Sequence, residues 1–301
     1  MTDPSYVLER AEANDRDLWP ERSRLALSLV VNVEEGSELS LRDGDRGPEP
    51  VDELGIALSK GLRNYANESN YRYGIAEGAP RILKLIGAYG FPITFTAAAV
   101  SLERAPALAR QIVNGGHEIC APGWRWIHQF RMNEGEEREF IAKAVSSIER
   151  TTGQRPLGWL SRYLTTDHTK SLLAEAGFRY HMDDYSQDLP FWESGLPASL
   201  LCVPYALDSN DMKLWTAPAL TPADWLRYAT DTFDWLYEEG RESPKMMSLG
   251  LHLRVIGRPG RIGYLQKFLD HVNRREEVWV ARRIDIAERF ECTHPAPEPN
   301  P

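Results

Sequence analysis

Two adjacent carboxylates, Glu34 and Glu35, stand between an apolar run, residues 25–33, and Gly36. A histidine, His252, closes a second apolar run, Ser248-Leu249-Gly250-Leu251-His252. Carboxylate and imidazole together suit hydrolysis by a general base and a general acid. Successive strand residues point to opposite faces, but at a strand end that turns at glycine both carboxylates can tip into one site. A solvated, acidic loop start is the other reading of the same residues. For His252 the alternatives are a hydrogen-bonded histidine of the core or rim and a proton donor. Arg254 and Arg258 follow, either as surface residues or as anchors for a carboxylate or ureide oxygen, with Arg258 before Pro259 the more structural. His117 reads as structural, and His128, His168 and His271 lack ligand-like spacing.

These groups need elements to hold them. Residues 25–33 form a near-continuous apolar run, as a strand buried on both faces should be. Residues 34–78 show no clear period and read as a long aromatic and polar loop, of the kind that is functional or partner-facing. Alternation then sets in. A helix opens at Pro80, strands are expected at 92–98, 117–120 and 156–159, and helices at 106–114 and 134–152. A helix capped by Asp167 and closed by Gly177 follows, with short strands at 180–182 and 201–204 flanking a loop. A helix to residue 239, a strand at 246–253, a helix at 260–273, a strand at 278–281 and a helix at 284–290 complete the series. Repeated strand–helix units mean an α/β fold with a mainly parallel sheet, open or closed into a barrel. The expected organisation is an arm over residues 1–23 anchored by Trp19, a body over 24–291 and a proline-rich tail over 292–301.

The 301 residues carry a formal charge of −9, which argues against nucleic acid or an anionic membrane as partner. No apolar stretch suits a secretory signal or a membrane span, so a cytoplasmic protein is expected. Cys120, Cys202 and Cys292 are too few and scattered for a disulfide framework or a zinc knuckle. No phosphate-cradling glycine loop follows the first strand, which removes support for a dinucleotide or ATP fold.

The stretch Gly115-Gly116-His117-Glu118-Ile119-Cys120-Ala121-Pro122-Gly123-Trp124-Arg125-Trp126 resembles a motif of the polysaccharide deacetylase (NodB-homology) superfamily. The segment Asn32-Val33-Glu34-Glu35-Gly36 is similar to the allantoinase and cyclic-imide-hydrolase branch. So are Arg155-Pro156-Leu157-Gly158-Trp159, Asp188-Leu189-Pro190-Phe191-Trp192, the run from Val203 to Asp211, and the run from Leu249 to Pro259. The matches span nearly residue 20 to 290. They imply a distorted (β/α) barrel, hydrolysis of a carbon–nitrogen bond in a small cyclic amide or ureide such as allantoin, and a homotetramer. They also imply Glu35 or Glu34 as base, His252 as acid, and substrate contacts from Trp126, Trp159, Arg162, Asp188, Tyr205 and Arg254. In the superfamily two histidines of the turn hold a divalent metal. Pro122 and Trp126 stand at those places, so no metal or other cofactor is expected.

Three departures from the branch fall on loops. Pro122 replaces a histidine, Glu77 an arginine, and Ser161-Arg162-Tyr163-Leu164-Thr165-Thr166 a glycine-rich loop, with Arg162 one position early for that loop's arginine. The framework segments are intact. Three readings follow: a metal-independent hydrolase of a cyclic amide or ureide, a catalytically degenerate protein that binds a small molecule, and a sugar N-deacetylase.

Overall fold

The computed structural model describes residues 16–51, 61–216 and 218–297. In chain order its strands are β1 (Leu25–Val33), β2 (Thr94–Ala97), β3 (Glu118–Cys120), β4 (Gly158–Trp159), β5 (Tyr180–His181), β6 (Phe191–Trp192), β7 (Leu201–Cys202), β8 (Lys245–His252) and β9 (Val278–Val280). Between and after them run α1 (Tyr65–Tyr73), α2 (Ala79–Tyr89), α3 (Ala99–Arg104), α4 (Pro106–Asn114), α5 (Glu134–Thr152), α6 (Thr169–Glu175), α7 (Pro222–Glu239), α8 (Leu253–Ile256), α9 (Pro259–Asn273) and α10 (Arg283–Thr293). Proline at the first turn of α4, α7 and α9 removes an N–H that would have no helical partner. Asn133 and Glu136 form a capping box on α5.

Every residue of β1 is buried, which its apolar sequence requires and a central parallel strand provides. On one side β1 pairs with β8 along the whole length of β8, from Leu25↔Lys245 to Asn32↔His252. On the other side its first residues pair with β9 and its last with β2. With β3 beyond β2 this makes a five-stranded parallel sheet. A four-stranded sheet, β4-β5-β7-β6, forms the other wall, with β6 antiparallel. The walls meet at one parallel bridge, where Ala121 N donates to Gly158 O at 2.9 Å and Leu160 N to Ala121 O at 3.1 Å.

Between β7 and β8 no ladder forms among the described residues. Buried Arg283 crosses this seam instead. Its Nη1 donates to the carbonyls of Val203 and Pro204 at 2.5 and 2.8 Å, and its Nη2 to Ser248 Oγ. The result is the expected distorted barrel of mainly parallel strands, open along one seam, with helices outside. Trp225, Phe233 and Phe268 pack α7 and α9 into the helix layer and are fully buried. Each such side chain contributes roughly 1.5–3 kcal/mol.

The structure corrects the long loop expected over residues 34–78. Asn64 caps α1 by accepting from Asn67 N at 3.0 Å, and α1 continues through a π-helical turn, Gly74–Gly78, into α2. No apolar stripe announced α1, because only Asn67 and Tyr71 face inward. Residues 52–60 of that stretch lie outside the described residues. The stretch from 183 to 200, read as loop, contains β6. The last helix runs to Thr293, past the expected body–tail boundary. Of the arm, residues 1–15 lie outside the described residues, as do 298–301 of the tail. Trp19 is buried and its Nε1 donates to Lys245 O at 2.8 Å, the anchor expected of it. No helix of the described residues is long and apolar enough to cross a membrane.

Candidate active site

Parallel strands bring their carboxyl ends to one rim, and here the ends of β1 and β8 are adjacent because Asn32 and His252 are in register. Both carboxylates after β1 turn inward. Glu34 is 2% exposed, Glu35 1%, His252 4% and Arg254 1%, so the solvated-loop reading of the pair is excluded. Glu34 Oε1 lies 3.2 Å from His252 Nε2, and Glu34 Oε2 lies 2.6 Å from Arg254 Nη1. The same Nη1 is 3.5 Å from Glu35 Oε1, and that oxygen accepts the backbone N–H of Arg254 at 3.2 Å. Glu35 Oε2 accepts from Glu34 N at 3.0 Å. Gly74, in the π turn, backs the Glu35 carboxylate so closely that a Cβ there would sit 2.3 Å from Oε1. The Arg254 guanidinium lies over the Tyr71 ring at 4.1 Å and the Trp215 ring at 5.4 Å.

Asp211 completes the centre. Its Oδ1 is 2.7 Å from His252 Nδ1, and its Oδ2 accepts from His252 N at 2.8 Å and Ile256 N at 3.1 Å. The imidazole is thus gripped by a carboxylate at each nitrogen. Burial alone would lower the His252 pKa, but the charges of Glu34 and Asp211 outweigh it and raise it to about 9. Burial likewise works against ionised Glu34, yet Arg254 and His252 pull it down to about 2. For Glu35 burial wins. Arg254 offsets only part of it, the charge of Glu34 adds to it, and the pKa rises to about 7. Two neighbouring carboxylates held this far apart mark one as a fixed counter-charge and the other as a proton acceptor near neutrality.

The other expected site residues divide. Arg162 is buried and spent on a fork to Glu49, with Nη1 at 3.0 Å from Oε2 and Nη2 at 2.5 Å from Oε1. Its Nη1 also donates to Trp126 O at 2.6 Å. Arg162 and Trp126 therefore brace the rim rather than present free groups. Tyr205 lies below the rim, where its hydroxyl accepts from Asn32 Nδ2 at 3.1 Å and Asn210 Nδ2 at 3.0 Å. Trp159 is not a wall of the site. In β4 Gly158 takes the face where Tyr180 packs, so alternation turns Trp159 outward between Phe140 and Phe178. Asp188 is also away from the centre. It is exposed and borders a cavity of about 300 Å³ at the seam, together with Tyr205, Met246 and Ser248. Arg258 stacks on Tyr73 at 3.6 Å, which is structural as expected.

Sequence reading gave no site role to Asp211, Glu49, Trp215 or Gly74, and placed Tyr71 only within the aromatic loop expected to be functional or partner-facing. Asp211 had a signal: it follows Asn210, whose side chain caps a short helical turn, Asp211–Leu214. Glu49 had none, since an acid in a Gly- and Pro-rich loop looks solvated. At the outer rim Tyr163 takes a left-handed backbone with φ of 61°, and its ring meets Trp126 and His128, each at 6.4 Å. A bulky residue in that conformation is uncommon outside strained or functional segments.

The resemblance brings with it a divalent metal held by two residues of the turn after β3. The two positions of the turn hold Pro122 and Trp126, neither of which coordinates. A guanidinium already stands against both carboxylates. Among the described residues the one group of three or more potential ligands within 4.8 Å of each other is His181, Glu193 and Cys202. That group is locked otherwise. Asp183 N donates to His181 Nδ1 at 3.1 Å, which puts the ring proton on Nε2, toward Glu193 Oε1 at 2.9 Å. Lys170 Nζ holds the same oxygen at 2.6 Å.

A model of the polysaccharide deacetylase family matches residues 70–181. A putative polysaccharide deacetylase of Schizosaccharomyces pombe is 36% identical over 302 residues, covering 93% of this chain and 94% of the other. A crystal structure of Puue allantoinase superposes with a TM-score of 0.89 at 43% identity, covering 92% of this chain and 93% of that one. A probable polysaccharide deacetylase from Pseudomonas aeruginosa PAO1 gives a TM-score of 0.89 at 40% identity, covering 92% and 94%.

Proposed function

The chain belongs to the polysaccharide deacetylase family, hydrolases of carbon–nitrogen bonds, and from that premise we propose that it opens a small cyclic amide or ureide, allantoin-like in chemistry, without a divalent metal. One observation carries the reading: a carboxylate poised near neutrality, Glu35, and an imidazolium, His252, share a buried centre with Arg254 as its counter-cation. Likeness to an allantoinase over nearly the whole chain supports the substrate class.

In this mechanism Glu35 takes a proton from water as that water attacks the carbonyl carbon. His252, kept charged by Glu34 and Asp211, gives its proton to the departing nitrogen, which leaves poorly as an anion. Positive charge from Arg254 offsets the negative charge that develops on oxygen. The assignment keeps the chemistry at the ends of β1 and β8 and leaves Trp126, Arg162 and Tyr163 to shape the rim. A cytoplasmic setting and a homo-oligomer belong to the same reading. Exposed Leu62 and Tyr65, within the partner-facing stretch of residues 34–78, support the oligomer. Light scattering at micromolar concentration should return a multiple of the 34.2 kDa chain mass; a monomer would remove this part.

The direct test is a hydrolysis screen over ureides, cyclic imides and N-acetylated sugars, run with and without chelator. Turnover of a ureide or imide that survives chelation supports the proposal. Turnover of an N-acetylated sugar alone, lost on chelation, overturns it, and inertness to every compound favours a binding role.

A further inference from the structure

A continuous set of rings stands at the carboxyl ends of β3 and β4, carried by the segments that follow those strands. Tyr163 meets Trp126 edge-on at 6.4 Å and His128 at 6.4 Å, and His128 meets Phe130 at 5.6 Å. Phe130 and Tyr163 are exposed, as is Leu164, next to Tyr163 in the chain. The root of Tyr163 is fixed. Arg162, the residue before it, is pinned by its fork to Glu49 and by its bond to Trp126 O, and the left-handed backbone at Tyr163, with φ of 61°, sets the direction of its ring. That ring is half open to solvent, yet its hydroxyl pKa is raised. The packed protein around it raises it most, the charge of Glu34 adds, and Arg162 and Arg254 offset a part. A hydroxyl that feels both Glu34 and Arg254 stands at the mouth of the centre.

No cation is left over there to receive a polar substituent. Arg254 is held against Glu34 and Arg162 against Glu49. Among the described residues the other guanidinium in contact with these rings is Arg131, over Phe130 at 5.1 Å, at the end of the set away from Tyr163. His128 brings no charge at neutral pH, because burial lowers its pKa and Arg162 lowers it further. Exposed apolar side chains gathered beside a reactive centre mark a binding surface, and what they take from water best is another apolar group.

We propose that these rings select the substrate: a cyclic ureide or imide that carries an aromatic or bulky alkyl substituent, in place of the polar ureido chain of allantoin. The inference rests on the hydrolase reading above and specifies the substrate class of that same site. The bond broken is unchanged. Water adds across the carbon–nitrogen bond, leaving a carboxylic acid on one side and an N–H on the other, while the substituent lies against Tyr163 and its neighbouring rings.

The test measures kcat/KM of the purified full chain on hydantoin, allantoin and 5-benzylhydantoin. The native protein should favour 5-benzylhydantoin over allantoin by at least about tenfold, the order of discrimination that apolar contacts in a pocket supply. Tyr163→Gly removes the ring and suits the left-handed backbone. It should lower the ratio of 5-benzylhydantoin to hydantoin by at least about tenfold, and Phe130→Ser by about threefold. If Tyr163→Gly fails to fold by circular dichroism, the exposed Phe130→Ser decides alone. A native preference for allantoin, or variants that lose both hydantoins in parallel, would overturn the inference and leave the hydrolase reading standing. If no compound is turned over, the hydrolase reading falls, and calorimetry with 5-benzylhydantoin as ligand settles the rings. Saturable binding weakened by Tyr163→Gly upholds their role; no binding, or binding that the variant leaves unchanged, overturns it. A Phe130→Ser chain that loses subunits by light scattering would place the rings between copies and overturn it too.

Discussion

Replacing Asp211 with asparagine tests the proton inventory of the centre while leaving its shape nearly intact. Asp211 Oδ2 accepts two backbone N–H groups, from His252 and Ile256, and the asparagine carbonyl can keep both. Its amide then presents an N–H to His252 Nδ1, 2.7 Å from Oδ1 in the native protein, and only an unprotonated nitrogen can accept it. The imidazole is held neutral, its one proton on Nε2 toward Glu34. In the native protein the His252 pKa is raised from 6.5 to about 9. The charged ring therefore stabilises the fold fully below 6.5, and that contribution is lost as pH rises through 9. At about 1.4 kcal/mol per pH unit the span is worth about 3 kcal/mol. Glu35 is also raised, from 4.5 to about 7, so its own loss of stability is complete by the middle of the range and is common to both proteins. Urea unfolding from about pH 7.5 to about pH 9.5 isolates the histidine. Native protein should lose most of that increment, and Asp211→Asn should be nearly flat. An asparagine variant with the native alkaline slope would refute the assignment of a charged His252.

Glu35→Gln should lower turnover by ~10²–10⁴-fold while leaving thermal stability unchanged or raised, since it removes a carboxylate that burial disfavours. The native rate profile should be bell-shaped, with limbs near the Glu35 value of about 7 and the His252 value of about 9; a profile flat through neutrality would count against Glu35 as base. Gly74→Ala should cost activity through displacement of Glu35, because the added Cβ meets a carboxylate oxygen at 2.3 Å, and a fully active variant would show that the carboxylate is free to move. Arg162→Leu should destabilise by about 3–5 kcal/mol in urea unfolding, because it leaves the buried Glu49 carboxylate unpaired; loss of activity without loss of stability would instead make Arg162 a substrate contact.

The strand–helix alternation from β1 onward was legible because its elements carry strong local signals. β1 and β8 are long apolar runs, and α5 and α7 begin with caps that a single sequence displays. What was not legible depended on partners far away in the chain. Glu49 turns inward to Arg162, far away in the chain, and to the backbone N–H groups of Leu39 and Val51. Trp159 looked like a site residue until Gly158, by yielding the inner face to Tyr180, sent it outward. The α1 helix gave no apolar stripe, because it packs on the site through Asn67, Tyr71 and two glycines of the following turn. Glu34, Glu35, His252 and Arg254 were named by position at strand ends, and the barrel does bring them together. Asp211 was passed over because its role comes from register between its turn and β8, which pattern alone does not supply.

The open seam between β7 and β8 has a consequence for how such a protein can change over time. Glu34, Glu35 and Arg254 follow strands of the five-stranded sheet and His252 ends one, whereas Arg162 and Tyr163 follow the four-stranded one. Among the described residues the two walls share backbone hydrogen bonds at one bridge, Ala121 and Trp159, and are otherwise joined by side chains: Arg283 across the seam, Tyr180 Oη to Glu118 Oε1 at 2.7 Å, and Asn32 Nδ2 to Tyr205 Oη at 3.1 Å. A ladder transmits every shift of register to its neighbour; one bridge and a set of side-chain contacts transmit less. Loops after the four-stranded wall can thus change while the Glu34, Glu35, His252 and Arg254 cluster keeps its alignment, which β1 and β8 fix between themselves.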